Sequence, residues 1–213
     1  MEKFSTEEHK AKGYSGRKVG FGEKPAMLLI DFQKGITADD TPVTSKLVQD
    51  ATNNTIPLLA AARKKNVPIY HTVTAFREDL SDVGMWKMTS IFKWTEGSKW
   101  AEVDDRLKEQ DNEIVITKKA GSAFKGTPLL NYLITRGIDT ILLTGLNTSG
   151  CIRATANDCH AYGYRCNIPA ECVGDVTGDD AECPAHKQNL IDLNARYCDV
   201  VSLKDVMEYL EGL

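Results

Sequence analysis

The apolar residues of this chain come in short continuous runs, and stretches of helical spacing separate the runs. Ala26-Met27-Leu28-Leu29-Ile30 leads into Asp31-Phe32, and Val67-Pro68-Ile69-Tyr70-His71 forms a second run. Glu113-Ile114-Val115-Ile116-Thr117 forms a third, ending in Lys118-Lys119, and Thr140-Ile141-Leu142-Leu143-Thr144-Gly145 a fourth. Runs of this length, bounded by turn signals and without alternation, read as strands buried on both faces. Between the first two, Leu47, Ile56, Leu59 and Ala60 mark a helix over 47–65, with a kink or break expected at Pro57. Helices at 127–136, 150–162, 180–195 and 203–211 and strands at 164–168 and 200–201 complete the series. Strand–helix alternation of this kind predicts a single α/β domain, a doubly wound, mostly parallel sheet with helices on both faces.

Two segments stand outside the rhythm. Residues 1–24 are polar and contain Gly13, Gly16, Gly20 and Gly22, so they read as an N-terminal arm preceding a domain over 25–213. Residues 75–100 carry Met85, Trp86, Met88, Phe92, Trp94 and Trp100 without a clear period, which predicts a long functional loop or short helices.

Composition narrows the class. With 213 residues, 42% hydrophobic and 26% charged, the chain can bury one large core. A net charge of -4, dispersed along the chain, gives no basis for binding nucleic acid or an anionic membrane. Arg63-Lys64-Lys65, the one basic cluster, falls at a predicted helix end, where it complements the dipole. No apolar run is long enough to span a membrane and MEKFSTEEHK has no signal-peptide character, so a cytoplasmic location is expected. The six cysteines all fall in the last third, without C-x-x-C or zinc-finger spacing, so neither a disulfide framework nor a zinc site is expected.

One of those cysteines is placed for chemistry. Cys151 follows the apolar strand 140–144 and the polar turn Leu146-Asn147-Thr148-Ser149-Gly150, and opens a helical pattern. A thiol there would feel unpaired N–H groups and the positive dipole end, which favour thiolate. The plainer alternative is a small residue filling a strand–helix corner. Ligand sites in open α/β sheets lie outside the carboxyl ends of the strands. Asp31 ends the first strand, Lys118 follows the third and Cys151 the fourth. Singly, each has a dull explanation; together they match a nucleophile with a base and a cation at one edge.

The order of motifs resembles the isochorismatase-like cysteine hydrolases, most nearly their N-carbamoylsarcosine amidohydrolase branch. The resemblance rests on Leu29-Ile30-Asp31-Phe32-Gln33, on Lys118-x-x-x-Ser122-Ala123-Phe124-x-Gly126-Thr127-x-Leu129, and on Gly145-x-x-Thr148-x-x-Cys151-Ile152-Arg153-x-Thr155. Gly163-Tyr164-Arg165, Ile168-Pro169 and Gly174-Asp175 continue it, so that it covers the chain from about residue 10 onward.

What the resemblance implies is an Asp31–Lys118–Cys151 triad, with Lys118 preferred to Lys119 because the family's lysine stands four residues before the Ser of Ser-Ala-Phe. It also implies a cis peptide between Leu146 and Asn147, with the Asn147 and Cys151 N–H groups forming an oxyanion hole. The implied activity is hydrolysis of a small amide or ureido C–N bond through a covalent thioester or thiocarbamate, with ammonia released. No cofactor is implied. Nicotinamidase relatives bind zinc through an Asp-x-His…His set, whereas 34–40 here contains no histidine, and His71 alone reads as hydrogen-bonded structure. The partners implied are a small-molecule amide or ureide and further copies of the chain, a tetramer in the family.

Phe32, Gln33, Trp86 and Val176 are expected to border the substrate. Val176 stands where the branch has an arginine that clamps a substrate carboxylate. Either Arg77, Lys87 or Lys93 takes over that task, or the substrate is a neutral ureide or simple amide. Trp86, Trp94 and Trp100 fit a pocket wall or a subunit interface equally. An isochorismatase-type vinyl-ether hydrolase and a non-catalytic family member are the readings of other classes; Cys151 argues against the first and the intact triad against the second.

Overall fold

The computed structural model describes residues 4–213. Seven strands form one parallel sheet in the order β3-β2-β1-β4-β5-β7, with the short β6 pairing β4 at its end. They are β1 (Pro25–Ile30), β2 (Ile69–Thr74), β3 (Ile114–Lys118), β4 (Thr140–Leu146), β5 (Arg165–Pro169), β6 (Val173–Gly174) and β7 (Asp199–Val201). The order reverses between β1 and β4, the topological switch point at which such sheets open a crevice.

Both central strands are buried along their whole length, and successive residues face opposite sides. Leu28, Ile30, Ile141 and Leu143 face a core shared with Leu129 and Leu133 of α4 (Leu129–Thr135) and Ala156 of α5 (Arg153–Ala161). Leu190 of α6 (Pro184–Arg196) closes the same side. Met27, Leu29 and Leu142 face the other core, built by Val48, Leu58 and Leu59 of α3 (Lys46–Lys64) and Leu210 of α7 (Leu203–Glu211). Gly145 lets β4 run against β1: a Cβ there would lie 2.1 Å from the Ile30 carbonyl oxygen.

Several boundaries differ from the sequence expectation. α3 continues through Pro57 as one helix of 19 residues from its Ser45 N-cap, where a kink or break was expected. Pro57 lies on the exposed face, as does Asn53, whose carbonyl loses its partner, so water can satisfy it while Leu58 and Leu59 pack on the sheet. The short α1 (Glu7–Ala11), α2 (Lys34–Thr37) and β6 carry too few residues to show a period. The segment 75–100 holds two 3-10 turns, Ser90–Lys93 and Lys99–Ala101. Before β1, Phe21 stacks on Tyr209 at 4.4 Å and Gly20 N–H donates to Asp199 at 2.9 Å. No helix among the described residues is long and apolar enough to cross a membrane.

Candidate active site

Three strands deliver three side chains to one point. β1 ends at Ile30, and Asp31 follows in the left-handed region at φ 54, sparsely populated for a non-glycine residue. Lys118 closes β3 in register with Thr74 of β2. Its Nζ lies 2.8 Å from Asp31 Oδ2, 3.2 Å from Cys151 Sγ, 2.9 Å from Thr74 Oγ1 and 3.0 Å from the Ala120 carbonyl. Thr72 Oγ1 donates to Asp31 Oδ1 at 2.8 Å, and Thr74 Oγ1 stands 3.3 Å from Oδ2. The Asp31 and Lys118 side chains are almost fully buried, so removing either would leave the other's charge uncompensated in the interior.

The electrostatics correct one expectation. The start of α5 was expected to favour a thiolate, yet Cys151 is pushed up to about 12, by burial first and then by the negative charge of Asp31, with Lys118 opposing both. Cys151 sits in a single π-helical turn, Thr148–Ile152, closed by Ile152 N–H donating to the Asn147 carbonyl at 3.1 Å, and α5 begins only at Arg153. The π turn runs without a break into α5, and the burial of the thiol and the charge of Asp31 outweigh what Lys118 contributes. Burial also disfavours the charge of Lys118, but Asp31 and Cys151 outweigh it and hold the ammonium above its ordinary value. At rest the site is a neutral thiol beside an ammonium–carboxylate pair.

The turn that presents the thiol is held from beneath. The Leu146–Asn147 peptide is cis. Thr148 Oγ1 donates to the Gly174 carbonyl at 3.0 Å and lies 2.8 Å from His186 Nδ1. A hydroxyl has one proton, so with that proton on Gly174 the His186 Nδ1 carries the other. Asp175 accepts the Ser149 N–H at 2.8 Å and, through its second oxygen, the Thr177 N–H and hydroxyl at 3.2 and 3.0 Å. Sequence reasoning assigned no task to Asp175, Thr72, Thr74 or His186. The available signal was Thr72-Val73-Thr74, two hydroxyls on one face of a strand between those bearing the acid and the lysine.

The other expected site residues scatter. Gln33 is buried, its amide donating to the Thr74 and Trp100 carbonyls and accepting the Thr74 N–H, so it braces the wall. Phe32 lies in the apolar core on the α3 side, and Val176 packs against that core. Lys119 turns from the thiol and pairs with Asp82 and Glu96 at 2.7 and 2.6 Å. Trp86 Nε1 donates to the Lys119 carbonyl at 2.8 Å. A Cβ on Gly121 would meet the Trp86 ring at 3.9 Å and Ala154 at 3.6 Å, so the indole borders the first turn of α5. Trp86 also lines an open cavity of about 650 Å³ with Lys87, Met88, Lys119 and Ala120. His71 lies 2.9 Å from Glu113, and no group of three His, Cys, Asp or Glu side chains among the described residues is arranged to hold a metal ion.

Comparison with known proteins places this arrangement in context. The isochorismatase domain profile matches residues 25–205. The chain is 37% identical over 205 residues to a maleamate amidohydrolase of Pseudomonas putida, covering 95% of this chain and 94% of the relative. It is 34% identical over 204 residues to an N-carbamoylsarcosine amidase of an Arthrobacter species, covering 92% and 75%. A solved cysteine hydrolase from Pseudomonas syringae pv. phaseolicola superposes with a TM-score of 0.80 over 89% of this chain and 93% of its own, at 21% identity, a likeness of fold.

Proposed function

The chain belongs to the isochorismatase family, and we propose that it is a cysteine-dependent amidohydrolase that releases ammonia from a small amide or ureide. The observation that carries the reading is the contact of Lys118 Nζ with both Asp31 and Cys151 Sγ. The two relatives are named for a primary amide and an N-carbamoyl compound, substrates of one reaction type.

The chemistry follows from the resting state. Asp31 takes the thiol proton as Sγ attacks the carbonyl carbon, and Lys118 stabilises the emerging thiolate and the carboxylate in turn. The Asn147 and Cys151 N–H groups hold the oxyanion; among the described residues the Asn147 N–H has no other acceptor. Collapse of the tetrahedral adduct breaks the C–N bond, and the proton on Asp31 leaves with ammonia. Asp31 then deprotonates water, which attacks the thioester or thiocarbamate and frees the acid and the thiol.

Ammonia release from maleamate, N-carbamoylsarcosine, biuret and simple amides tests the reading. Wild type should turn over at least one class, and Cys151→Ala should fall to background with an unchanged melting temperature. Cys151→Ala at near-normal rates, or no release from any compound, would overturn it.

A further inference from the structure

Lys118 has more acceptors around it than protons to give. An ammonium carries three N–H groups and can only donate. Among the described residues four acceptors surround its nitrogen: Asp31 Oδ2 at 2.8 Å, Thr74 Oγ1 at 2.9 Å, the Ala120 carbonyl at 3.0 Å and Cys151 Sγ at 3.2 Å. Thr74 and Ala120 stay neutral throughout the reaction, whereas Asp31 and Cys151 exchange a negative charge. With two protons committed to the neutral acceptors, one remains for the two that change. Thr74 is itself firmly placed. It is buried and lies opposite Lys118 in the β2–β3 register, its N–H donates to Gln33 Oε1 at 2.6 Å, and its carbonyl accepts from Gln33 Nε2 at 3.1 Å. Because its hydroxyl oxygen accepts from Lys118, its single proton goes to Asp31 Oδ2 at 3.3 Å.

Resting on the amidohydrolase reading, we propose that Thr74 is a positioning residue acting through Lys118, fixing the ammonium so that its third N–H follows the negative charge from Asp31 to Cys151. At rest the charge is on the carboxylate, and the third N–H lies on Oδ2. When the S–H bond breaks and an O–H bond forms on Asp31, the charge stands on sulfur, 3.2 Å from the same nitrogen. The ammonium keeps all three of its protons; one N–H turns from oxygen to sulfur while the other two hold the nitrogen in place. Without the Thr74 hydroxyl the ammonium is anchored by one neutral acceptor instead of two, and Asp31 loses a donor. The nitrogen is then free to settle on the carboxylate, away from the sulfur it must stabilise next.

The experiment separates the hydroxyl from the shape that carries it. Thr74→Val keeps the branched side chain without the hydroxyl, and Thr74→Ser keeps the hydroxyl. Thr52→Val is the control, a buried threonine of α3 whose hydroxyl donates to the Val48 carbonyl at 2.7 Å. Ammonia release is followed with the amide or ureide that wild type turns over fastest, beside a thermal melt of each variant. Thr74→Val should lower kcat by about tenfold or more, the scale of one hydrogen bond to a charged group, with KM within about threefold. Thr74→Ser should recover kcat to within about threefold, and Thr52→Val should match wild-type kcat even where its melting temperature falls as far. Where Thr74→Val does not fold, Thr74→Ala is set against Thr74→Ser with the same expectation. A Thr74→Val kcat within about threefold of wild type, a loss confined to KM, or a loss that Thr74→Ser does not repair would overturn the role of Thr74 and leave the amidohydrolase reading standing. No ammonia from any amide or ureide with wild type would overturn both.

Discussion

β3 carries a buried ionic cluster at each end, and the two are built for opposite purposes. At its amino end, Glu113 takes Arg63 through two bonds of 2.7 and 2.9 Å, His71 at 2.9 Å and the Gln110 N–H at 3.1 Å. Burial would raise the pKa of this carboxyl, but the Arg63 and His71 side chains outweigh it and hold it at about 2. At the carboxyl end, Lys118 is as deeply buried, yet its cluster includes a thiol pushed to about 12 beside a carboxylate. In the first cluster the strongly acidic group is ionised and fully bonded; in the second a proton sits on the sulfur with an acceptor beside it. Buried charge alone does not mark a site. A buried proton with somewhere to go does.

The largest difference between the two clusters should appear on mutation of their central residues. Lys118→Ala should lower turnover by several orders of magnitude, because Asp31 and the thiolate lose their counter-charge, and should destabilise by about 3–5 kcal/mol by leaving Asp31 unpaired. Lys119→Ala, which removes contacts to Asp82, Glu96, the Ala75 carbonyl and the Phe76 ring, should change turnover by less than about tenfold, as expected of partly exposed ion pairs. Equal losses in the two variants, read by ammonia release and thermal melts, would erase the distinction between the lysines.

A smaller effect belongs to the amino-end cluster and concerns stability. Glu113 is depressed from 4.5 to about 2, so its contribution is present above pH 4.5 and is lost as pH falls toward 2. The full displacement corresponds to about 3 kcal/mol. Urea unfolding between pH 6 and about 2.5 should show that loss in wild type and a flatter profile in Glu113→Gln, whose turnover per folded molecule at neutral pH should stay near wild type. A Glu113→Gln enzyme that is stable but inactive would give that end of the strand a part in catalysis.

How far each feature was legible follows from how local its cause is. The strands β1 and β4 are continuous apolar runs, and Asp31 and Cys151 stand at their ends, so position in the chain implied position at one sheet edge. Lys118 and Lys119 differ by one residue on a strand, and the alternation of faces separates them. The state of Cys151 was not legible: it depends on burial and on Asp31, 120 positions earlier in the chain, with Lys118 opposing both. Gln33, expected to border the substrate, has its amide held by the backbone of Thr74 and Trp100, a contact made by residues more than 40 positions away in the chain.

The measurement that bears most directly on the resting proton is the pH dependence of Cys151 alkylation. Wild type is treated with iodoacetamide from pH 6 to about 10.5, and modification of the Cys151 peptide is followed by mass spectrometry. With the thiol pushed to about 12, the rate at Cys151 should climb throughout this range without a plateau, while the ammonium of Lys118, held above its ordinary value, stays charged. A plateau with a midpoint below about pH 8 would mean a thiolate formed in advance, and would contradict a mechanism in which Asp31 takes the proton as the sulfur attacks.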